Sequence, residues 1–124
     1  MRTKISTAFL LLLFCSCQLL QEKGIPFKIQ NTSNATITDV RFSTSEKLAS
    51  MEFDSIASNQ NEQGFLNMKE NKTDGAYTLV YFRENGTKVE TSAGYYTSGV
   101  SMDNYIRFEI KNDTTLVKFG KFPN

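Results

Sequence analysis

Apolar and polar residues alternate in this chain over short runs, and this two-residue period constrains the fold more than any other feature. In residues 25–30, for example, Ile25, Phe27 and Ile29 alternate with Pro26 and polar residues. Successive side chains of a β-strand point to opposite faces, so such alternation is typical of a strand with one buried face. Comparable runs recur about every 8–12 residues, which favours an antiparallel β-sandwich over a parallel sheet. The sequence therefore predicts an all-β fold of seven to eight short strands.

Turn residues at two points predict hairpins between neighbouring runs. Asn85-Gly86 lies between residues 76–82 and 88–91, and Asn-Gly is a strong hairpin signal because both residues tolerate a positive φ. Asn112-Asp113 joins the last two runs in the same way. Residues 76–82 are apolar on both faces, which is typical of a central strand.

Three places depart from simple alternation. The apolar phase shifts by one residue between Ile37 and Val40, and a β-bulge at Asp39 would account for the shift. Residues 45–51 fit either a single helical turn or a loop. Residues 94–99 (Gly-Tyr-Tyr-Thr-Ser-Gly) are interpreted as a glycine-flanked aromatic loop.

The N-terminus has the composition of an export signal. Arg2 and Lys4 precede an apolar run at residues 8–15, and the small residue Ser16 follows. A transmembrane anchor needs about 20 apolar residues, and the widest window here, residues 5–20, is shorter and interrupted by polar residues. We therefore expect a cleaved signal peptide.

Cys17 is the predicted lipid attachment site. The pattern Phe14-Cys15-Ser16-Cys17 resembles a bacterial lipobox, in which a small residue precedes a cysteine that becomes the acylated N-terminus. The alternative is an ordinary secretory signal cut near Ser16. The predicted organisation is a lipoprotein signal peptide at residues 1–16, a tether at 17–24 and a β-sandwich domain at 25–124.

Composition argues against several classes of function. Residues 17–124 carry twelve Lys and Arg against thirteen Asp and Glu, interspersed, so nucleic-acid binding has no electrostatic support. The chain has no histidine, and Cys17 is the only cysteine after the predicted cut, so zinc, copper and iron–sulfur sites are not expected. Residues 71–75 are interpreted as a plain turn rather than a calcium loop. We expect no metal and no cofactor.

Tyr95 and Tyr96 form the candidate binding surface. Adjacent strand residues point to opposite faces, so at least one ring can be exposed, and tyrosine is common in binding surfaces. The alternative is that one ring belongs to the core and the other is a rim contact. Val80 and Phe82 are expected on the outer face of their strand, covered by the tail residues Phe119 and Phe122 or left as a sticky patch.

Catalysis would have to rest on carboxylates. The pairs Glu52 with Asp54, and Glu84 with Glu90, are the candidates, although such acids usually form the solvated face of a strand. No nucleophile or phosphate-binding motif occurs, and we expect a protein that is not an enzyme. The sequence also has five Asn-x-Ser/Thr sequons, whose glycosylation is left open: Asn31, Asn34, Asn71, Asn85 and Asn112.

With its lipobox-like start, residues 27–33, 37–40 and 94–99, the chain resembles small β-sandwich lipoproteins of Gram-negative bacteria. An immunoglobulin-like or transthyretin-like label describes architecture alone, because the Cys…Trp…Cys core of immunoglobulin domains is missing. The resemblance implies attachment to the outer membrane, with secretion as the alternative, and assigns a role to Cys17 alone.

The function expected from these observations is a non-enzymatic, lipid-anchored binding or accessory module of the cell envelope. Its partners would be the membrane, through the N-terminal lipid, and a protein or glycan ligand. One alternative is an inhibitor or cap of a secreted enzyme or toxin, and another is a small carboxylate-dependent secreted hydrolase. The oligomeric state is left open.

Overall fold

A computed structural model of the chain describes residues 23–120, which form an all-β domain. The predicted signal peptide, Cys17, most of the tether and Phe122 lie outside the described residues. The nine strands are β1 (Gly24–Asn31), β2 (Ile37–Thr44), β3 (Ser50–Ile56), β4 (Asn61–Asn67), β5 (Gly75–Phe82), β6 (Lys88–Thr97), β7 (Val100–Ser101), β8 (Ile106–Ile110) and β9 (Thr115–Phe119). Residues 23–120 contain no helix long and apolar enough to cross a membrane.

The strands form two sheets that pack face to face. One has four strands in the order β4-β1-β8-β9, and the other has five in the order β3-β2-β5-β6-β7. The all-β sandwich predicted from the alternation is thus confirmed. One pair departs from the antiparallel expectation, because β1 and β8 are parallel, from Phe27 beside Ile106 to Asn31 beside Ile110. Pro26 lies near the beginning of β1, before this parallel pairing starts, so its missing N–H costs that pairing nothing.

Aromatic rings from both sheets meet at the centre of the core. Phe42 on β2 is fully buried, and its ring centroid lies 4.7 Å from that of Phe27 and 5.5 Å from that of Phe108 in the opposite sheet. Within its own sheet it lies 6.0 Å from Tyr77. Phe42 therefore joins the two layers, and the aliphatic side chains of β1, β5 and β8 fill the space around it.

Both predicted hairpins and the predicted central strand are confirmed. β5 and β6 pair antiparallel across the Asn85-Gly86 turn, where Gly86 has a φ of 85°. β8 and β9 pair with Phe108 beside Val117 and Ile110 beside Thr115. β5 is the middle strand of the five-stranded sheet, with β2 on one side and β6 on the other.

The predicted bulge at Asp39 is confirmed. Thr38 pairs with Phe82, but the next pair joins Arg41 to Val80, so β2 has one extra residue here. Asp39 has a φ of 48°, a left-handed conformation that aspartate tolerates better than most residues. The extra residue returns Val40 and Phe42 to the core face.

The predicted aromatic loop at residues 94–99 is wrong. β6 continues through Tyr95 and Tyr96 to Thr97, and a tight turn leads into β7, which pairs back on β6. This short strand raises the number of strands to nine, above the predicted seven to eight. The ambiguous stretch 45–51 is a turn and bend through Ala49, and β3 begins at Ser50.

Candidate functional site

The outer face of the five-stranded sheet carries an open groove of about 610 Å³. Val80 and Phe82 on β5 line it, and each is only partly buried. Their neighbours in the chain, Leu79 and Tyr81, are fully buried in the core, so alternation along β5 forces Val80 and Phe82 outward. Hydroxyl and charged side chains complete the groove: Asp39, Arg41, Ser43, Thr44, Ser45, Lys47, Ser50, Thr78, Lys88 and Glu90.

The described part of the tail does not cover this groove. Phe119 belongs to β9 in the other sheet, and its Cε1 atom would lie 3.1 Å from a Cβ placed on Gly94. Phe119 therefore packs beside the inner side of β6, away from Val80 and Phe82. The second tail residue expected to cover them, Phe122, lies outside the described residues.

A smaller groove lies beside this one, and Arg41 lines both. Arg41 Nη2 lies 2.8 Å from Glu52 Oε1, and both side chains are more than half exposed, so the pair contributes little to stability. The smaller groove, of about 240 Å³, is also lined by Asp39, Phe53, Asp54 and Phe82. Apolar surface flanked by charges of both signs suits an amphipathic ligand rather than a simple ion.

The structure brings together one of the two candidate carboxylate pairs, because Glu52 and Asp54 both line the smaller groove. Glu52 is engaged by Arg41, and Asp54 lies one step further along the outer face of β3. Glu90 lines the large groove, whereas Glu84 lies in the turn after β5 and does not line it. Among residues 23–120, no cluster of three or more metal-ligating side chains is present.

The structure separates the two candidate tyrosines. Tyr95 is 47% exposed, and its hydroxyl donates to Asp74 Oδ2 at 2.8 Å. Tyr96 is fully buried. A bulge at Gly94, which has a φ of 78°, determines this choice: Gly75 pairs with Tyr96 and Tyr77 with Ala93, so β6 gains a residue between them.

Tyr95 belongs to an exposed apolar patch at the β6–β7 hairpin, here called the β7 patch and defined by Tyr95, Val100 and Met102. Met102 N donates to the carbonyl of Tyr95 at 3.1 Å, which places the two residues opposite each other. Val100 is 50% exposed and Met102 65% exposed. One of the two predicted binding residues is therefore available to a partner.

Tyr96 instead takes part in a partly buried polar cluster around Glu46 that the sequence did not reveal. Its hydroxyl donates to Glu46 Oε1 at 2.9 Å, and Asn71 Nδ2 donates to the same oxygen at 3.2 Å. The other carboxylate oxygen, Oε2, accepts the backbone N–H groups of Lys72 and Thr73 at 3.3 and 3.4 Å. Glu46 thereby holds the β2–β3 turn against the β4–β5 loop.

These contacts change the acidity of Glu46. Partial burial works to raise its pKa, but the hydrogen bonds from Tyr96, Asn71, Lys72 and Thr73 outweigh this effect and lower the pKa below the ordinary value of 4.5. Because the pKa is lower in the folded state than in the unfolded chain, the ionised carboxylate stabilises the fold above the unfolded pKa. That stabilisation is lost as the pH falls through the folded pKa.

We expect Glu46→Gln to lower the free energy of unfolding at neutral pH, because the charged hydrogen bonds are lost. The difference from the wild type should be constant above about pH 6 and shrink as the pH falls from the unfolded pKa through the lower folded pKa of Glu46. Urea titrations at several pH values measure this difference in the free energy of unfolding, with the exposed Glu70→Gln as the control. A difference that is independent of pH would contradict this role for the Glu46 charge.

A second tyrosine hydroxyl anchors β7. Tyr77 donates to Ser101 Oγ at 2.6 Å, and Ser101 Oγ in turn donates to the carbonyl of Asp103 at 2.7 Å. Burial raises the pKa of Tyr77 to about 12, although its bond to Ser101 works in the opposite direction. Tyr77 therefore remains a neutral donor at physiological pH and holds the β7 patch on the core.

The sequon asparagines differ in accessibility. Asn31 is fully buried and Asn71 is 2% exposed, so neither side chain is open to a glycan in the folded domain. The other three, Asn34, Asn85 and Asn112, are exposed.

Comparisons with known proteins inform the fold alone. No protein-family model matches this sequence, and no curated protein shows significant similarity to it. A protein from Eubacterium rectale with an NMR structure is similar in structure, with a TM-score of 0.53 and 8% sequence identity. The alignment covers 81% of this chain and 91% of the Eubacterium rectale chain. At this identity the similarity shows a common fold and gives no information about activity.

Proposed function

We propose that this protein is a non-enzymatic binding module of the cell envelope, anchored by lipid at Cys17, and that it binds its partner through the outer face of the five-stranded sheet. The observation that carries the binding role is the open groove of about 610 Å³ with Val80 and Phe82 in its lining. Apolar side chains on the outer face of a central strand cost solubility, and a partner that covers them would recover that cost.

The β7 patch favours a protein as the partner over a glycan. Tyr95 and Met102 are large, exposed and adjacent, and aromatic residues and methionine are enriched where proteins contact each other. This patch lies on the same sheet as the groove, at its β7 edge. It also supports the alternative that the module caps a secreted enzyme or toxin.

Anchoring follows from the N-terminal sequence. Cys17 succeeds a basic start and an apolar run, as a lipoprotein cysteine does. Two or three acyl chains on Cys17 would hold the domain at the membrane, since each buried methylene contributes about 0.8 kcal/mol.

The groove is tested by recovery of a partner from envelope extract with purified mature protein as bait. Val80→Glu places a carboxylate in the groove lining opposite Glu90, and we expect it to reduce the recovered partner about tenfold, as loss of an interface hot spot does. Gln63→Glu, an outward position on β4, is the matched control and should recover the partner like the wild type. A stoichiometric protein supports the cap or accessory role. Equal recovery by both variants would refute the groove.

Intact mass of the same mature protein tests the anchor. We expect a chain that begins at Cys17 and carries the added mass of acyl chains, with any glycans visible in the same spectrum. An unmodified Cys17 thiol, or a chain cut elsewhere, would overturn lipid anchoring. Neither result would alter the outcome at the groove.

A further inference from the structure

The outer face of the four-stranded sheet carries three cations in a single row across three strands. Lys28 on β1 lies beside Arg107 on β8, and Arg107 lies beside Lys118 on β9. Neighbouring strands are about 4.8 Å apart, so the three side chains leave the sheet as a continuous row. Gln63 on β4 extends this cationic row with a neutral residue.

The positive charges of the cationic row are not balanced by carboxylates within residues 23–120. Like charges directly opposite each other on neighbouring strands are destabilising. Within residues 23–120 no carboxylate forms an ion pair with any of the three cations, and the one acid in the next row, Glu109, accepts a bond from Thr32 Oγ1 instead. A row of cations without ion-pair partners attracts anions from outside the protein.

The two outer faces of the sandwich differ in charge. The grooves of the five-stranded sheet are lined by four carboxylates and three cations, the carboxylates being Asp39, Glu52, Asp54 and Glu90. The cationic row and the row beside it contain three cations and one carboxylate, Glu109. An anionic surface would therefore attract the four-stranded face and leave the groove directed away from it.

If Cys17 is acylated, the length of the chain limits how far the cationic row can lie from the membrane. Six residues lie between Cys17 and Gly24, where β1 begins, and the seven steps from Cys17 to Gly24 span at most about 25 Å when fully extended. Lys28 lies four residues further along β1, about 13 Å from its start. If Cys17 is acylated, as proposed above, the cationic row is confined to the neighbourhood of the lipid headgroups.

We propose that the outer face of the four-stranded sheet docks on anionic phospholipid headgroups, through Lys28, Arg107 and Lys118. This inference rests on the proposed anchor for its biological setting. Docking in this orientation holds the sandwich flat on the membrane and presents the groove of the five-stranded sheet to a partner. Each lysine or arginine near an anionic membrane strengthens binding about fivefold.

Vesicle binding tests the cationic row without the lipid. Residues 18–124 retain every described strand and the whole described core, so this chain can be purified without Cys17. It is mixed with vesicles of phosphatidylcholine alone, or with a third of the lipid replaced by phosphatidylglycerol. We expect sedimentation with the anionic vesicles alone, decreasing as salt is raised because exposed charges are screened.

The triple variant Lys28→Gln, Arg107→Gln, Lys118→Gln should bind anionic vesicles about a hundredfold more weakly. The control with the same loss of charge is Lys47→Gln, Lys72→Gln, Lys88→Gln, which lies outside the four-stranded sheet and should lose far less. Circular dichroism and thermal unfolding are used to check that both triple variants fold. The first variant should unfold at an equal or higher temperature than the wild type, because like-charge repulsion is removed.

Equal binding to both vesicle types, or equal loss in both triple variants, would overturn the docking proposal. The result is independent of acylation, which intact mass reports. An unmodified Cys17 together with charge-dependent binding through the cationic row would refute the anchor and support the docking face. An acylated Cys17 with no charge-dependent binding would support the anchor and refute the docking face.

Discussion

Replacement of Phe42 by alanine is expected to lower the free energy of unfolding by about 3–5 kcal/mol. The Phe42 ring is fully buried and contacts rings of both sheets, with centroids 4.7 Å from Phe27 and 5.5 Å from Phe108. Its removal loses the transfer free energy of the ring and leaves a cavity between the layers that close packing cannot easily fill. A domain of this size has about 5–15 kcal/mol of stability in total, so much of it would be lost.

Urea denaturation followed by circular dichroism measures this effect. Phe65→Ala is the matched control, because the Phe65 side chain lies on the outer face of β4 and is 39% exposed. The control should lose clearly less than Phe42→Ala. Similar losses in the two variants would mean that the two sheets do not depend on the ring cluster around Phe42.

Replacement of Asn31 by alanine is expected to cost about 3 kcal/mol or more, although the side chain is polar. Asn31 Nδ2 donates to the carbonyls of Ala35 and Ile56, both at 2.9 Å, and Oδ1 accepts the backbone N–H of Ser33 at 3.0 Å. Asn31 is itself fully buried. Alanine leaves these three backbone groups without their partner, and each buried unsatisfied group costs about 1–3 kcal/mol.

The two carbonyls show why this position needs an amide. Ala35 lies in the turn between β1 and β2, and Ile56 ends β3 in the opposite sheet, so Asn31 holds a turn and both layers together. Asn31→Asp keeps the acceptor but directs a second oxygen at the two carbonyls, and it should be at least as destabilising at neutral pH. Unfolding of both variants is compared with the exposed Asn34→Ala in the same turn. A loss at Asn31 no larger than that at Asn34 would contradict the assignment.

Much of the sandwich could be predicted from the sequence, because one physical cause acts locally. A residue in a strand points to the opposite face from its neighbour, so the alternation at Ile25, Phe27 and Ile29 predicted which side chains of β1 are buried. The double-sided run around Leu79 and Val80 correctly predicted a central strand. The one-residue shift before Val40 predicted the bulge at Asp39 for the same reason.

Alternation did not predict which of the two tyrosines is exposed. Tyr95 and Tyr96 are the same residue type, so alternation of apolar and polar residues does not show which of them is buried. The bulge at Gly94 has no sequence pattern that would have predicted it. The Glu46 cluster was missed for a different reason. Its partners Asn71 and Tyr96 lie 25 and 50 residues away along the chain, and only the packing of three loops and strands brings them together.

The sequence by itself determined that this chain folds into strands, the bounds of β5 to within one residue, and which face of β1 is buried, because those properties depend on residues within two positions of each other. Tertiary structure decided which strands are neighbours. The placement of β8 between β1 and β9 aligned Lys28, Arg107 and Lys118, and the pairing of β2 with β5 placed Arg41 beside Val80. Both surfaces arise from contacts between distant segments, which the free energy of the whole core selects and no local pattern records.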